Sequence, residues 1–307
     1  MAEGAASVPL VHRVIRANRR LLVPMLQRVQ LRALRAAATE QGLDVLARRL
    51  AAIVPDLSDQ YSTLRLETPF VVEKVRIQHA FQIRLALRAV GWALDDAPST
   101  SPLRIVDIGD SSGTHQRYLR ALLADDERAA RRAVECTSVN LDPAAVQKIQ
   151  ARGLPAIHCR AERLRDEAGI DADVFVCFQM LEHLPDPIAF LDPLSRHSDC
   201  RYLVITVPWL RRSRVGLHHI RHRLHHAVYP EDTHIFELAP DDWRLVFWHA
   251  GWEPVAEEIY RQYPRRSPLR ITGVGWRMFD FEGFYGVVLR RNRHWANCYQ
   301  VPADAAS

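Results

Sequence analysis

The stretch that most constrains this chain is Leu-Arg-Ile-Val-Asp-Ile-Gly-Asp-Ser-Ser-Gly-Thr, residues 103–114. A β-branched run ends at Asp107-Ile108-Gly109, Gly113 follows, and a helix-compatible stretch opens at Thr114. This order predicts a strand, a tight glycine turn and a helix N-terminus. Glycine lets a ligand approach the backbone where no Cβ intrudes. The helix start offers unpaired N–H groups and the positive end of a dipole. Asp107, two residues before the first glycine, is placed to accept from an amino group or to hold the loop's own N–H groups. The dinucleotide fingerprint is G-x-G-x-x-G; the spacing in this chain is G-x-x-x-G with Ser111 at its middle, which argues against a dehydrogenase.

Further strand signals follow at βα spacing. They cover residues 134–140, 154–159, 173–178 and 201–207, the last closed by Pro208, then 253–260 and 283–290. Pro240-Asp-Asp-Trp243 opens a helix that ends at Gly251. Alternating strands and helices point to an α/β fold with a mostly parallel sheet. In such folds an acid one βα unit after the glycine turn can grip ribose hydroxyls, and Asp142 is the candidate.

The series Val106-Asp107-Ile108-Gly109, Met180-Leu181-Glu182-His183-Leu184-Pro185 and His234 to Trp243 resembles the class I S-adenosylmethionine (SAM)-dependent methyltransferases. Within them it is most similar to the quinone methylases and natural-product O-methyltransferases. The resemblance implies a Rossmann-like, doubly wound, mostly parallel seven-stranded sheet with an N-terminal helical extension. It divides the chain into an extension over 1–95, a SAM-binding domain over 96–295 with a basic insertion about 210–232, and a tail over 296–307. It also implies that Asp107, Gly109, Asp110, Gly113 and Asp142 hold the cofactor, with Ala161, Phe178 and Gln179 lining it. Three positions depart from the family pattern: Ser111 replaces a glycine, Arg160 stands where an acid often meets adenine, and Gln179 or Met180 replaces a second acid beside Glu182-His183. On that last ground no metal is expected.

The 307 residues suffice for a full core. Of 41 basic residues only Lys74 and Lys148 are lysine, so the net charge of +5 reflects an arginine bias as readily as phosphate recognition. Five cysteines without C-x-x-C pairing suit reduced thiols. No signal peptide or membrane span is evident, and a cytoplasmic location is expected.

Residues 8–93 read as helices. Leu10, Val11, Val14 and Ile15 form one apolar face, and Leu43, Leu46, Leu50 and Ile53 another. Thr68-Pro69 is an N-cap with proline at the first helical position, and Gly91 is read as that helix's stop. Residues 1–38 hold seven arginines and one acid. Three readings stay open: a solvated cap, a homodimer or partner surface, and a peripheral membrane helix, the last opposed by Pro24 as a helix breaker. Residues 56–66 read as a linker or lid.

Methyl transfer to a hydroxyl needs a positioned base. His183, just after the fourth strand, is the first candidate; His234 and Asp232 come second. The competing reading is that Glu182-His183 only caps its loop. Ten of the sixteen residues from Arg211 to His226 are Arg or His, and none is acidic. An anion-facing surface and a solvated helix both fit. The expected activity is SAM-dependent O-methylation of a small metabolite or an anionic saccharide, with nucleic acid disfavoured as a partner. Two alternatives stand beside it, a catalytically silent methyltransferase-like binding subunit and an RNA methyltransferase.

Overall fold

A computed structural model describes residues 19–61, 66–96, 101–164, 169–197, 200–215, 234–278 and 281–298. The face built on Leu10, Val11, Val14 and Ile15, together with Asp232 and most of the basic insertion, lies outside these residues. Three helices come first: α1 (Arg19–Glu40), α2 (Asp44–Ile53) and α3 (Pro69–Asp95). The Thr68 hydroxyl accepts from the Val71 amide at 3.3 Å, with Pro69 at the first helical position.

Two breaker signals mislead. Pro24 lies inside α1 without ending it; so near the helix start it removes a single i→i−4 bond. Gly91 does not stop α3, which continues one turn to Asp95. A Cβ at Gly91 would lie 3.4 Å from the Arg128 guanidinium, so close packing accounts for this glycine.

The α/β part contains β1 (Leu103–Ile108), α4 (Thr114–Leu123), α5 (Glu127–Ala130), β2 (Val134–Asn140), α6 (Pro143–Ala151), β3 (Ala156–His158) and β4 (Val174–Phe178). After these come α7 (Pro187–His197), β5 (Tyr202–Trp209), β6 (Arg214–Val215), β7 (Phe236–Glu237), α8 (Pro240–His249), β8 (Trp252–Arg261), α9 (Gly273–Met278) and β9 (Gly283–Arg291). Seven strands form one sheet in the order β3-β2-β1-β4-β5-β9-β8. The first five are parallel, and β9 runs antiparallel to both β5 and β8. The expected doubly wound sheet is therefore observed, with β1 and β4 flanking the point where strand order reverses.

Pro208 lies within β5 rather than closing it. The register with β4 ends at Phe178↔Thr206, while that with β9 continues to Trp209↔Gly283. Beyond Thr206 the strand has one neighbour, and a residue without an N–H is tolerated at such an edge.

Alternation of side chains along each strand splits the core in two. Val174, Val176, Tyr202 and Val204 face Ile77, Phe81, Leu85 and Ala89 of α3. Phe175, Cys177, Leu203 and Ile205 face Phe190 and Leu194 of α7 and Trp243 and Phe247 of α8. The α3 layer is tightly seated: a Cβ on Gly286 of β9 would come within 2.3 Å of Leu85 and 2.6 Å of Phe81. Both layers leave the carboxyl ends of β1 and β4 open to the loops that follow them.

Candidate active site

The turn after β1 has the geometry its glycines imply. Gly109 (φ 94°) and Gly113 (φ 74°) are both left-handed. A Cβ on Gly113 would fall 2.7 Å from Leu154, so this glycine also serves close packing of the loop. Gly109 instead faces Met180, whose side chain would lie 3.4 Å from an added Cβ. The turns after β1 and β4 thus meet at the switch point, where open α/β sheets bind ligands.

Asp110 organises the turn. Its buried carboxylate accepts from the amides of Ser112 at 3.1 Å and Gly113 at 3.0 Å and from the Ser138 hydroxyl at 3.2 Å. Of the two tasks expected of Asp107, accepting from an amino group or holding the loop's own N–H groups, the second falls to Asp110. Asp107 is 3% exposed and lies 3.1 Å from His115 Nδ1. Burial first, and the neighbouring Asp110 charge second, push the Asp107 carboxyl up to about 6. Burial opposes a charged His115, but the Asp107 charge and hydrogen bond outweigh it and raise the imidazole. The His115 ring lies edge-on to Phe178, with centroids 5.0 Å apart.

The segment after α2 lies directly on the glycine turn. Ser111 Oγ donates to the Gln60 carbonyl at 2.7 Å, and Ser112 Oγ donates to Gln60 Oε1 at 2.9 Å. Lys148 Nζ donates to the Asp59 carbonyl at 3.0 Å, and Arg152 pairs with the Asp59 carboxylate. The serine in the middle of the turn therefore fastens the 56–61 segment. Of the segment read as a linker or lid, this part is clamped; residues 62–65 are not described.

Asp142 caps α6, its Oδ1 accepting from the Ala144 amide at 2.9 Å. No hydrogen bond involves its Oδ2 among the described residues. Asn140, at the end of β2, spends its amide on the Asp110 carbonyl and the Asp142 amide. Ala161 opens a 3₁₀ turn after β3 and is half-buried; Phe178 ends β4 and is buried. Gln179 is the one non-glycine residue with positive φ (55°) among the described residues. Its amide donates to the Thr206 carbonyl at 2.8 Å, and its side chain reaches the Thr206 hydroxyl at 3.3 Å. A strained residue at this position fixes the departure of the chain from β4.

That departure brings the candidate bases together. Leu181–His183 form a 3₁₀ turn, and the Ile235 amide donates to the Glu182 carbonyl at 2.8 Å. The rings of His183 and His234 meet edge to face, with centroids 4.8 Å apart. Glu182 Oε1 lies 4.0 Å from His183 Nε2. His234 Nδ1 lies 2.7 Å from Glu237 Oε1, while Arg214 Nε donates to Glu237 Oε2 at 2.6 Å. Burial opposes a charged His234, but the Glu237 hydrogen bond and the Glu182 and Glu237 charges raise its pKa.

Glu237 is the participant that sequence reasoning missed, and the burial of Glu182, read there only as part of the Glu-His pair, was not foreseen. Glu182 is completely buried, neither carboxylate oxygen has a hydrogen-bond partner among the described residues, and burial pushes it up to about 7. Ligand-capable atoms of Glu182, His183 and His234 fall within 4.8 Å of one another. Nothing in the Glu-His dipeptide signals such burial. The i,i+3 spacing of His234 and Glu237 is the one available clue to the second contact.

A family model described as a methyltransferase domain matches residues 59–257. The chain belongs to this family, the class I SAM-dependent methyltransferases, whose cofactor is S-adenosylmethionine. Among solved structures of similar fold is the CurJ carbon methyltransferase, at 14% identity and a TM-score of 0.50, covering 94% of this chain and 72% of that one. Another is Burkholderia thailandensis 1,6-didemethyltoxoflavin-N1-methyltransferase with bound 1,6-didemethyltoxoflavin and S-adenosylhomocysteine (15% identity, TM-score 0.46, 95% and 94% of the two chains). At these identities the likeness is one of fold.

The turn after β1 leaves room for a ligand such as the cofactor. The bare Gly109 backbone opposite Met180 is a surface that a larger side chain would crowd, and it lies at the switch point. At the end of β2 the Asn140 side chain is engaged, so Asp142 Oδ2 is the acceptor left uncommitted there among the described residues. No helix among the described residues is long and apolar enough to cross a membrane.

Proposed function

We propose that this chain methylates a hydroxyl group of a small acceptor, with His183 as the general base. The observation that carries this reading is the meeting of His183 and His234 over buried Glu182, three residues past the Met180 that faces Gly109.

When bound, the cofactor supplies a methyl group already activated on a sulfonium, so the protein's contribution is alignment and proton removal. Gly109 and Gly113 shape the loop that takes its methionine end, and Asp107 stands beneath, paired with His115. Asp142 Oδ2 meets the ribose, while Ala161 and Phe178 line the adenine. Asp110 acts through the loop, and Gln179 aims the turn that bears His183. As the acceptor oxygen gains its methyl group, its proton passes to His183. Glu237 holds the His234 ring, and the ring packs on His183 to fix its orientation.

The basic insertion extends the reading to an anionic acceptor, such as an acidic saccharide. Two of its arginines are committed internally: Arg211 to Glu282 at 2.8 Å and Arg214 to Glu237. The anionic preference therefore rests on exposed Arg212 and on Arg221 and Arg223, the last two outside the described residues. The test is incubation of the chain with methyl-labelled SAM and a cell extract. Label in a small-molecule or saccharide fraction, abolished by His183→Ala, supports the reading. Label in RNA, or none, contradicts it.

A further inference from the structure

The connection from β8 to β9 presents a face that the methyl-transfer site does not use. Both β5 and β8 run antiparallel to β9, and Trp209 and Arg261 share Gly283 as their register partner. The Arg261 guanidinium lies over the Trp209 ring, 4.6 Å from its centroid. The connection therefore leaves the sheet at the same end as the glycine turn. From Gln262 to Met278 it holds four arginines and no acid. Ser267 caps a 3₁₀ turn, Pro268–Thr272, its hydroxyl accepting from the Leu269 amide at 3.1 Å, and α9 follows directly.

Helical spacing sorts this segment into two faces. Gly273 and Trp276 lie inward: a Cβ on Gly273 would come within 2.8 Å of the Tyr263 ring, and Trp276 stacks on Phe70 of α3 with centroids 6.3 Å apart. The outward face is also apolar. Ile271, Val274 and Met278, at i, i+3 and i+7, are 72%, 53% and 79% exposed. Exposed Arg270 and Arg277 run beside them, one position earlier in the helical order.

The acids nearby leave three of the four arginines unpaired. Glu282 takes Arg277 at 3.1 Å and Arg211 at 2.8 Å. The Glu40 carboxylate, at the end of α1, accepts from the backbone amides of Arg265 at 2.9 Å and Arg266 at 3.0 Å. Asp280 lies outside the described residues. The guanidinium groups of exposed Arg265, Arg266 and Arg270 make no hydrogen bond or ion pair among the described residues. Single exposed apolar side chains are ordinary on a protein surface, whereas three on one helical face beside unpaired arginines mark a contact surface. A bilayer interface takes both stripes, the acyl chains receiving the apolar side chains and the lipid phosphates the guanidinium groups. Single-stranded nucleic acid stacks on exposed aromatic rings, and the tryptophan of this segment is packed inward.

We infer that the face built on Arg265, Arg266, Arg270, Ile271, Val274 and Met278 docks on an anionic phospholipid bilayer. The inference does not depend on the methyl-transfer reading. Its test is cosedimentation of the full chain with vesicles of phosphatidylcholine and phosphatidylglycerol in equal parts, beside vesicles of phosphatidylcholine alone. Binding to the mixed vesicles is expected to be stronger than to the neutral ones and to weaken as salt rises. Arg265→Gln/Arg266→Gln/Arg270→Gln, which removes no ion pair among the described residues, is expected to weaken it at least tenfold. Ile271→Ser/Met278→Ser, which keeps every charge, is expected to weaken it several-fold. Both variants alter exposed side chains and should keep the wild-type Tm, which separates lost docking from misfolding. No binding of the wild type to the mixed vesicles, equal binding to mixed and neutral vesicles, or either variant within twofold of wild type would overturn the inference. So would binding of an RNA oligonucleotide, but not of vesicles, through these arginines.

Discussion

The imidazole of His183 rests edge-on against that of His234, and Glu237 grips the second ring from the far side at 2.7 Å. A base held in this way is oriented before the acceptor arrives. His183→Ala is expected to slow methyl transfer by on the order of 10²–10⁴ with SAM affinity unchanged. An acidic limb in the wild-type rate, expected where a histidine must be neutral to take the proton, should be absent from His183→Ala. Equal losses in binding and rate would assign the ring a structural role.

Glu182 gives a stability signature with a definite sign. Its carboxyl is pushed up to about 7 from an ordinary 4.5, chiefly by burial. The protonated form is the one the fold accepts, so its contribution is full below about pH 4.5 and is lost as pH rises through 7. The upper bound is about 3 kcal/mol. Glu182→Gln should therefore raise Tm more at pH 8 than at pH 5. A Tm difference that stays constant from pH 5 to 8 would contradict the buried, raised carboxyl.

Asp142 can be divided into its two oxygens. Asparagine caps helices about as well as aspartate, whereas alanine costs about 1 kcal/mol. Asp142→Asn should then keep Tm and still bind SAM about tenfold more weakly, as expected for loss of a charged hydrogen bond. Asp142→Ala should lower both. SAM affinity unchanged in Asp142→Asn would leave the residue as a helix cap alone.

Much of this architecture is legible in the residues. The Val-Asp-Ile-Gly run, the strands at βα spacing and the Thr68-Pro69 cap all rest on local backbone chemistry, and each lies where local rules put it. Pro24, Gly91 and Pro208 mislead because tertiary context decides whether a breaker breaks. Asp142 is ambiguous for a related reason: an Asp-Pro after a strand suits a helix cap and a ribose ligand equally. Asp110 rather than Asp107 holds the loop's amides because His115, at the start of the helix after the turn, claims the Asp107 carboxylate. The burial of Glu182 depends on segments far apart in sequence, and no local pattern encodes it.

The central claim is that SAM binds at the switch point between β1 and β4, on the bare backbone of Gly109. Isothermal titration of the full chain with SAM tests it most directly, beside Gly109→Val. Valine would need a φ near 94° and would crowd Met180, so the loop could not keep its shape. Saturable 1:1 binding in the wild type, absent from a folded Gly109→Val, is the expected result. No heat of binding in the wild type, or equal affinity in the two proteins, would contradict the account.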